Sequence, residues 1–160
     1  ACELVSRLVQ SGADVRVVMT RAAREFVSAL SFRALSRAPV FGEIFDAPAG
    51  FDAGHVSLSA WPDAIVVAPA TANTIGKIAC GLADDLLTCS VMASRAPVLI
   101  APAMNRAMWR SAAVRANVAV LRRRGFSIVG PGEGRLACGE EGIGRLAETD
   151  EIVGAIERLV

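Results

Sequence analysis

Short apolar runs that alternate with helical segments constrain the fold of this chain most strongly. Residues 64–68 (AIVVA) and residues 98–101 (VLIA) are continuous apolar stretches, and a proline follows each of them. Runs of this length are too short for helices and are typical of strands buried on both faces. Segments with helical periodicity separate them, and Asn73 and Asp84 are the expected N-caps of two such helices. The pattern predicts an α/β fold with a doubly wound parallel sheet flanked by helices.

Length and charge limit the kind of protein further. The chain has 160 residues, 53% of them hydrophobic, and 17 basic against 16 acidic residues give a net charge of +1. This is enough for one sizeable core, so we expect a single domain over residues 1–160. The balanced charge argues against a nucleic-acid binder, and the apolar runs are shorter than the ~20 residues of a membrane-spanning helix. We therefore expect small molecules or proteins as partners, with no nucleic acid and no membrane.

The start of the sequence falls inside a helical pattern. Residues 1–11 have apolar side chains at helical spacing, and no apolar run precedes them. A doubly wound sheet usually begins with a strand at its centre. We expect the sequence to lack an amino-terminal segment that contains the first strand.

Cysteine usage favours a reducing compartment. The four cysteines form no C-x-x-C pair, and the start of the sequence does not resemble a signal peptide. Such thiols are typically reduced, which predicts a cytoplasmic protein. We expect Cys80 and Cys89 to fill the core as small apolar residues.

Three loops that follow predicted strands or open helices are candidates for the functional site, because ligands of parallel sheets bind beyond the carboxyl ends of strands. They are residues 20–26 (TRAAREF), 68–74 (APATANT) and 101–109 (APAMNRAMW). Asn105 lies just after a strand end, where its amide either caps the following turn or binds a carboxylate. Its position alone leaves both roles open.

A glycine-rich segment at residues 130–144 does not fit the dinucleotide-binding pattern G-x-G-x-x-G. We predict a functional lid of roughly 15 residues with little structure of its own, since connectors of this length are uncommon. His55 is the only histidine. A lone histidine is more often structural than catalytic, so its position alone does not assign it a reaction.

Four motifs occur in order along the chain. They are HVSLS (residues 55–59), APATANTIGKIACGLADDLLT (68–88), APAMNRAMW (101–109) and LACGEEGIGR (136–145). Together they resemble the flavin-dependent cysteine decarboxylases, and within that family the members that act on phosphopantothenoylcysteine. The resemblance implies a Rossmann-like flavoprotein fold, FMN as the cofactor, no metal, and carboxy-lyase activity that yields phosphopantetheine in coenzyme A biosynthesis.

The resemblance also implies roles for individual residues. The expected FMN-binding residues are Thr20, Thr71, Ala72, Asn73, Thr74 and Ala103, with Thr71 standing where many members have serine. The expected substrate-binding residues are Asn105, which would hold the carboxylate that is lost, Met108, and the flap residues Arg135, Leu136 and Ala137. The expected catalytic residues are His55 and Cys138, the latter as an acid on the flap.

These roles form a coherent chemistry. A cysteine carboxylate leaves with difficulty because the resulting carbanion is not stabilised. Hydride transfer to FMN from the neighbouring CH2–SH group gives a thioaldehyde, which serves as the electron sink and allows decarboxylation to an enethiol. Return of the hydride then requires protonation of the adjacent carbon, and Cys138 on a closing flap would supply that proton.

Two alternatives remain open within the resemblance. One is a peptidyl-cysteine decarboxylase that stops at the enethiol, and the other is a noncatalytic flavin-binding regulatory subunit. Cys138 favours the phosphopantothenoylcysteine enzyme over the first, and the joint presence of His55, Asn105 and Cys138 counts against the second. The resemblance further implies a homotrimer or dodecamer and a fused phosphopantothenate–cysteine ligase domain after Val160.

Overall fold

The computed structural model describes residues 1–44, 58–135, 139 and 141–160. Contacts divide the chain into two compact units. The first contains Ala1–Trp61 and Ala83–Arg95, and the second contains Pro62–Leu82 and Ala96–Val160.

Helices and short strands alternate along the described residues. The helices are α1 Cys2–Gln10, α2 Arg21–Arg24, α3 Ala29–Ser36, α4 Ala72–Cys80, α5 Leu86–Ala93, α6 Arg106–Arg110, α7 Ala112–Arg123 and α8 Thr149–Glu157. The strands are β1 Val17–Val18, β2 Val40–Phe41, β3 Ile65–Ala70, β4 Val98–Pro102, β5 Ser127–Ile128, β6 Gly132–Arg135 and β7 Glu141–Arg145.

The first unit is built around one pair of parallel strands. Strand β1 pairs with β2, with Val17 opposite Val40. Helix α1 contacts α3, and the side chains of Val5, Met19 and Phe32 form a buried cluster there. Burial of these apolar side chains stabilises the unit, because each one is removed almost completely from water.

The second unit contains a three-stranded parallel sheet in the order β3-β4-β5. Val66 lies opposite Leu99, and Ile100 lies opposite Ile128. All five residues of β4 are buried, as expected for the central strand of a covered sheet. Helix α8 contacts β4, and α4 packs against α7. The α/β class predicted from the alternating pattern is confirmed, since β1 and β2 in the first unit and β3, β4 and β5 in the second pair in parallel.

Several local boundaries differ from the sequence predictions. Strand β3 continues through Pro69 to Ala70, because the pairing with β4 shifts register between Val67 and Ala70 and a proline can occupy such an irregularity. Cys80 is exposed at the end of α4, so the prediction that it fills the core is wrong. Cys89 is half-buried, and its thiol donates to the Ala83 carbonyl oxygen at 3.2 Å.

The two helix caps also lie elsewhere than expected. Thr71, not Asn73, caps α4, because the chain stays extended at Thr71 after β3 and its hydroxyl oxygen accepts the Thr74 N–H. Asp85, not Asp84, caps α5 and accepts the Thr88 N–H at 2.8 Å. Both capping residues still have extended backbone angles, so each helix begins one residue after its cap.

The glycine-rich segment has more structure than predicted. Strands β6 and β7 form an antiparallel hairpin in which Glu133 lies opposite Ile143 and Arg135 lies opposite Glu141. The expectation of a largely structureless lid is therefore wrong for the described residues. Glycine occupies every second position of both strands, and Ile143 is the one large apolar residue among the others, so the apolar alternation that usually reveals a strand is missing.

Candidate functional site

The carboxyl end of β3 leads directly into the start of α4. The Thr71 hydroxyl oxygen accepts the backbone N–H of Thr74 at 3.2 Å and lies 3.0 Å from the Thr74 hydroxyl oxygen. Ala72 and Asn73 occupy the first turn of α4, with Asn73 exposed. This turn presents hydroxyl, amide and backbone N–H groups at a strand end.

The loop after β4 is bonded to the end of β3. The Ala103 N–H donates to the Ala70 carbonyl oxygen at 3.0 Å. This bond continues the contact between the two strands by one residue beyond β4. Ala103 and the residues of the α4 turn, which were predicted to bind one cofactor, therefore lie at neighbouring strand ends.

Asn105 caps the short helix α6. Its side-chain oxygen accepts the Ala107 N–H at 2.7 Å, and its backbone oxygen accepts the Trp109 N–H at 3.0 Å. The capping role that the sequence left open is thus present, and Asn105 remains exposed to solvent. The side-chain oxygen is therefore the capping acceptor, and the amide nitrogen is the donor of the side chain.

The hairpin contacts this loop through its second strand. The Met104 N–H donates to the Gly144 carbonyl oxygen at 2.9 Å, and α6 contacts β7. Met108 on α6 is 47% exposed, and Arg135 at the end of β6 is exposed as well. Asn105 and Met108 thus lie at the start of α6 and on it, beside β7, whereas Arg135 lies at the far end of β6, opposite Glu141.

A cavity of about 280 Å³ lies between α6 and the hairpin. It is lined by Arg106, Arg110, Glu133, Gly134, Glu141, Gly142 and Ile143. The predicted substrate residues are absent from this lining, although Arg106 follows Asn105 directly. The sequence did not predict that Arg106 and Arg110 line a cavity. Arg106 lies within the APAMNRAMW motif and Arg110 follows it directly, which was the available signal.

Thr20 belongs to the first unit. It follows β1 and caps α2, with its hydroxyl oxygen accepting the Ala23 N–H at 3.2 Å. It therefore occupies the same kind of position as Thr71, between a parallel strand and a helix.

Four predicted site residues, His55, Leu136, Ala137 and Cys138, lie outside the described residues. Their roles stay predictions. Arg135 and Gly139 are the nearest described residues on either side of Cys138 in the sequence.

The polar groups at the strand ends fit a flavin mononucleotide. Thr71, Asn73 and Thr74 provide uncharged donors beside the amino terminus of a nine-residue helix, where backbone N–H groups favour a phosphate or another anion. The described residues contain no cluster of three His, Cys, Asp or Glu side chains that could hold a metal ion. Over the same part of the chain, no helix has the length and apolar character needed to cross a bilayer.

Comparison with known proteins identifies the family. The whole chain, residues 1–160, matches the Flavoprotein family. The chain therefore belongs to the Flavoprotein family, which confirms the class expected from the motifs.

One curated relative is similar to this chain over almost its whole length. The Coenzyme A biosynthesis bifunctional protein CoaBC of Bacillus subtilis (strain 168) is 49% identical over 158 residues, which are 99% of this chain and 39% of that protein. The chain thus spans about two fifths of the length of this relative.

Two solved structures have the same fold. One is a cysteine-to-serine mutant of PPC decarboxylase complexed with pantothenoylaminoethenethiol, with a TM-score of 0.85 and 33% identity over 96% of this chain and 87% of the other. The second is the FMN-dependent cysteine decarboxylase SpaF, with a TM-score of 0.83 and 35% identity over 96% of this chain and 85% of the other. The predicted flavoprotein fold is confirmed by both.

Proposed function

We propose that this chain is an FMN-dependent decarboxylase that converts phosphopantothenoylcysteine to phosphopantetheine in coenzyme A biosynthesis. The observation that carries the proposal is the bond between Ala103 and Ala70, because it joins the two motif-bearing loops at adjacent strand ends. The similarity to CoaBC and to PPC decarboxylase supports the same reaction.

FMN would be held by Thr20, Thr71, Ala72, Asn73, Thr74 and Ala103. When bound, it supplies the chemistry of accepting a hydride from the substrate and later returning it. The residues of this chain provide its hydrogen-bond donors. The similarity to a structure named as an FMN-dependent cysteine decarboxylase supports FMN as the cofactor.

Asn105 would bind the substrate carboxylate that leaves as carbon dioxide. Its oxygen is engaged with the Ala107 N–H, so the capping bond orients the amide and directs the nitrogen as the donor. Met108 would pack against the substrate, and Arg135, Leu136 and Ala137 would cover it as part of the flap. Covering the substrate excludes water while the carbanion character develops.

Cys138 would deliver the last proton and His55 would act as a further catalytic residue. A thiol, with an ordinary pKa of about 8.5, is a far better acid than a hydroxyl. A mutant of PPC decarboxylase in which serine replaces a cysteine is complexed with an enethiol. This supports the expectation that the reaction stops at the enethiol when the acid is lost.

The chain would act as part of a larger assembly in the cytoplasm. CoaBC is named as bifunctional and is longer than this chain, which supports a fused phosphopantothenate–cysteine ligase domain after Val160. Phe26 and Leu30 are 87% and 61% exposed, and such apolar side chains favour contact between copies of the chain. We expect a homotrimer or dodecamer. Light scattering at micromolar concentration tests this, and a monomer would contradict it.

The function is tested with purified protein supplied with FMN. We expect flavin absorbance that survives gel filtration, release of carbon dioxide from phosphopantothenoylcysteine, and phosphopantetheine as the product by mass spectrometry. A peptide with a carboxyl-terminal cysteine serves as the competing substrate. Decarboxylation of the peptide alone, with the enethiol as product, would favour the peptidyl enzyme, and flavin binding without decarboxylation of either would favour a regulatory subunit.

A further inference from the structure

Strand β7 approaches the loop after β4 most closely at Gly144, which is buried. A methyl group at this position would overlap the carbonyl oxygen of Met104, and it would lie 3.4 Å from the Met104 carbonyl carbon and 3.5 Å from the Arg106 nitrogen. All three are backbone atoms. Because a backbone cannot rotate away as a side chain can, any side chain at Gly144 would displace the loop.

A displacement of the loop would also move Asn105, because two hydrogen bonds hold the backbone and side chain there. The Met104 N–H donates to the Gly144 carbonyl oxygen at 2.9 Å, and the Asn105 side-chain oxygen accepts the Ala107 N–H at 2.7 Å. The first bond fixes the residue before Asn105, and the second fixes its side chain. A shift of Met104 therefore moves the amide of Asn105.

Other glycines of the hairpin do not make this contact. Gly134 has φ +145°, close to the +144° of Gly144, but a methyl group there would meet Arg145 Nη1 at 3.4 Å. At Gly142 a methyl group would meet Arg106 Cδ at 3.0 Å. Both neighbours are flexible side chains, and at Gly132 the nearest backbone atom, Leu146 O, would lie at an ordinary contact distance of 3.5 Å. Among the hairpin glycines that the structure describes, a backbone overlap is therefore particular to Gly144.

We infer that Gly144 is a positioning residue for the decarboxylation, because its lack of a side chain lets β7 hold the Met104 backbone and, through it, the amide of Asn105. The catalytic consequence rests on the proposed function, whereas the structural consequence rests on the backbone geometry alone. The hairpin thus orients the group that would hold the substrate carboxylate, in addition to covering the substrate.

The structural test compares Gly144→Ala with Gly134→Ala by amide hydrogen exchange resolved to single residues. The two substitutions impose nearly the same backbone strain, since the φ angles differ by one degree. In Gly144→Ala we expect the Ala107 amide to exchange about 5-fold faster, as for loss of an N-cap. In Gly134→Ala its exchange should stay unchanged. Equal exchange at Ala107 in the two variants would overturn the inference.

The catalytic test uses the FMN-loaded protein and phosphopantothenoylcysteine. We expect Gly144→Ala to lower kcat/KM about 100-fold with a raised KM, as for a catalytic group misplaced by about 1 Å. Gly125→Ala serves as the activity control. Gly125 follows α7 with φ +86°, and no atom lies within 4 Å of a methyl group placed there.

A double-mutant cycle determines whether Gly144 acts through Asn105. If it does, adding Gly144→Ala to Asn105→Ala should lower kcat/KM by no more than about 2-fold further, within the scatter of such cycles. Full additivity of the two losses would overturn the inference, because it would mean that Gly144 acts independently of Asn105.

The Met104 amide of the unaltered protein gives a test that requires no variant to fold. Slow exchange at this amide supports the bond to Gly144, and unprotected exchange overturns the inference. If the unaltered protein binds FMN but does not decarboxylate phosphopantothenoylcysteine, the proposed function fails, while the exchange results at Met104 and Ala107 still decide the structural role of Gly144.

Discussion

Residues 103–105 and the β6–β7 hairpin differ in how their backbones are held. The loop is bonded on two sides, with Ala103 donating to Ala70 at 3.0 Å and Met104 donating to Gly144 at 2.9 Å. The hairpin is attached to the loop through Gly144, and its Glu133, Arg135 and Glu141 are exposed. The loop is suited to hold a group in a fixed position, and the hairpin is suited to bring a group to the substrate. Substitutions at the flap cysteine should therefore slow the final protonation, whereas substitutions in the loop should weaken binding of the carboxylate.

The largest effect is expected from Cys138→Ser, at the predicted flap cysteine that lies between β6 and β7 in the sequence. Serine has nearly the same size but is a much weaker acid, so the final protonation should slow by about 10²- to 10⁴-fold. Carbon dioxide release should continue, and the enethiol should accumulate. Mass spectrometry of single-turnover products measures both, with unchanged flavin absorbance as the control. Phosphopantetheine formed at the parental rate would remove Cys138 from the acid role.

In the loop, Asn105→Ala should impair every step, because the carboxylate is no longer positioned before the first hydride transfer. Loss of a hydrogen bond to a charged group predicts a fall in kcat/KM of about 10- to 100-fold. Asn105→Asp is the matched control, since aspartate also caps helices but repels the substrate carboxylate. We expect both variants to be impaired, with only Asn105→Ala losing the α6 cap. If Asn105→Asp retained full activity, Asn105 would not bind the carboxylate.

The contrast between the two regions also explains what could be predicted from the sequence. The AIVVA and VLIA runs identified β3 and β4, because continuous apolar runs of this length are typical of strands in a covered sheet. Burial on both faces holds for β4 only, since in β3 just Val67 and Ala70 are buried. The motifs then located the loops at their carboxyl ends. Asn105 was correctly placed after a strand end, where its capping bond was one of two open readings.

The hairpin could not be predicted in the same way. Its strands are GEGR and EGIGR, in which glycine replaces the apolar residues that would mark one face. The need for glycine at position 144 arises from a contact with Met104, 40 residues earlier in the chain. A tertiary contact of this kind has no local signature. The α4 cap could not be predicted locally for the same reason, because it depends on where β3 ends. The cap is Thr71 and not the expected Asn73.

A smaller effect is expected at the start of α4, which is held by its own cap. Thr71→Val keeps the shape of the side chain and removes the oxygen that accepts the Thr74 N–H. We expect the free energy of unfolding to fall by about 1 kcal/mol. Thr71→Ser keeps the acceptor and serves as the control. Urea denaturation without FMN measures the change, and equal stability of the valine and serine variants would contradict the capping role.

The smallest effect is expected where the hairpin joins α8. Arg145 forms an ion pair with Glu148, and the two side chains are 46% and 65% exposed. Exposed pairs of this kind contribute about 0–1 kcal/mol and are screened by salt. Glu148→Gln should therefore change the free energy of unfolding by less than about 1 kcal/mol, and the difference should shrink as salt is added. Urea denaturation at low and high ionic strength measures it. A large loss that does not depend on salt would instead mean that the Glu148 carboxylate contributes to stability by something other than this ion pair.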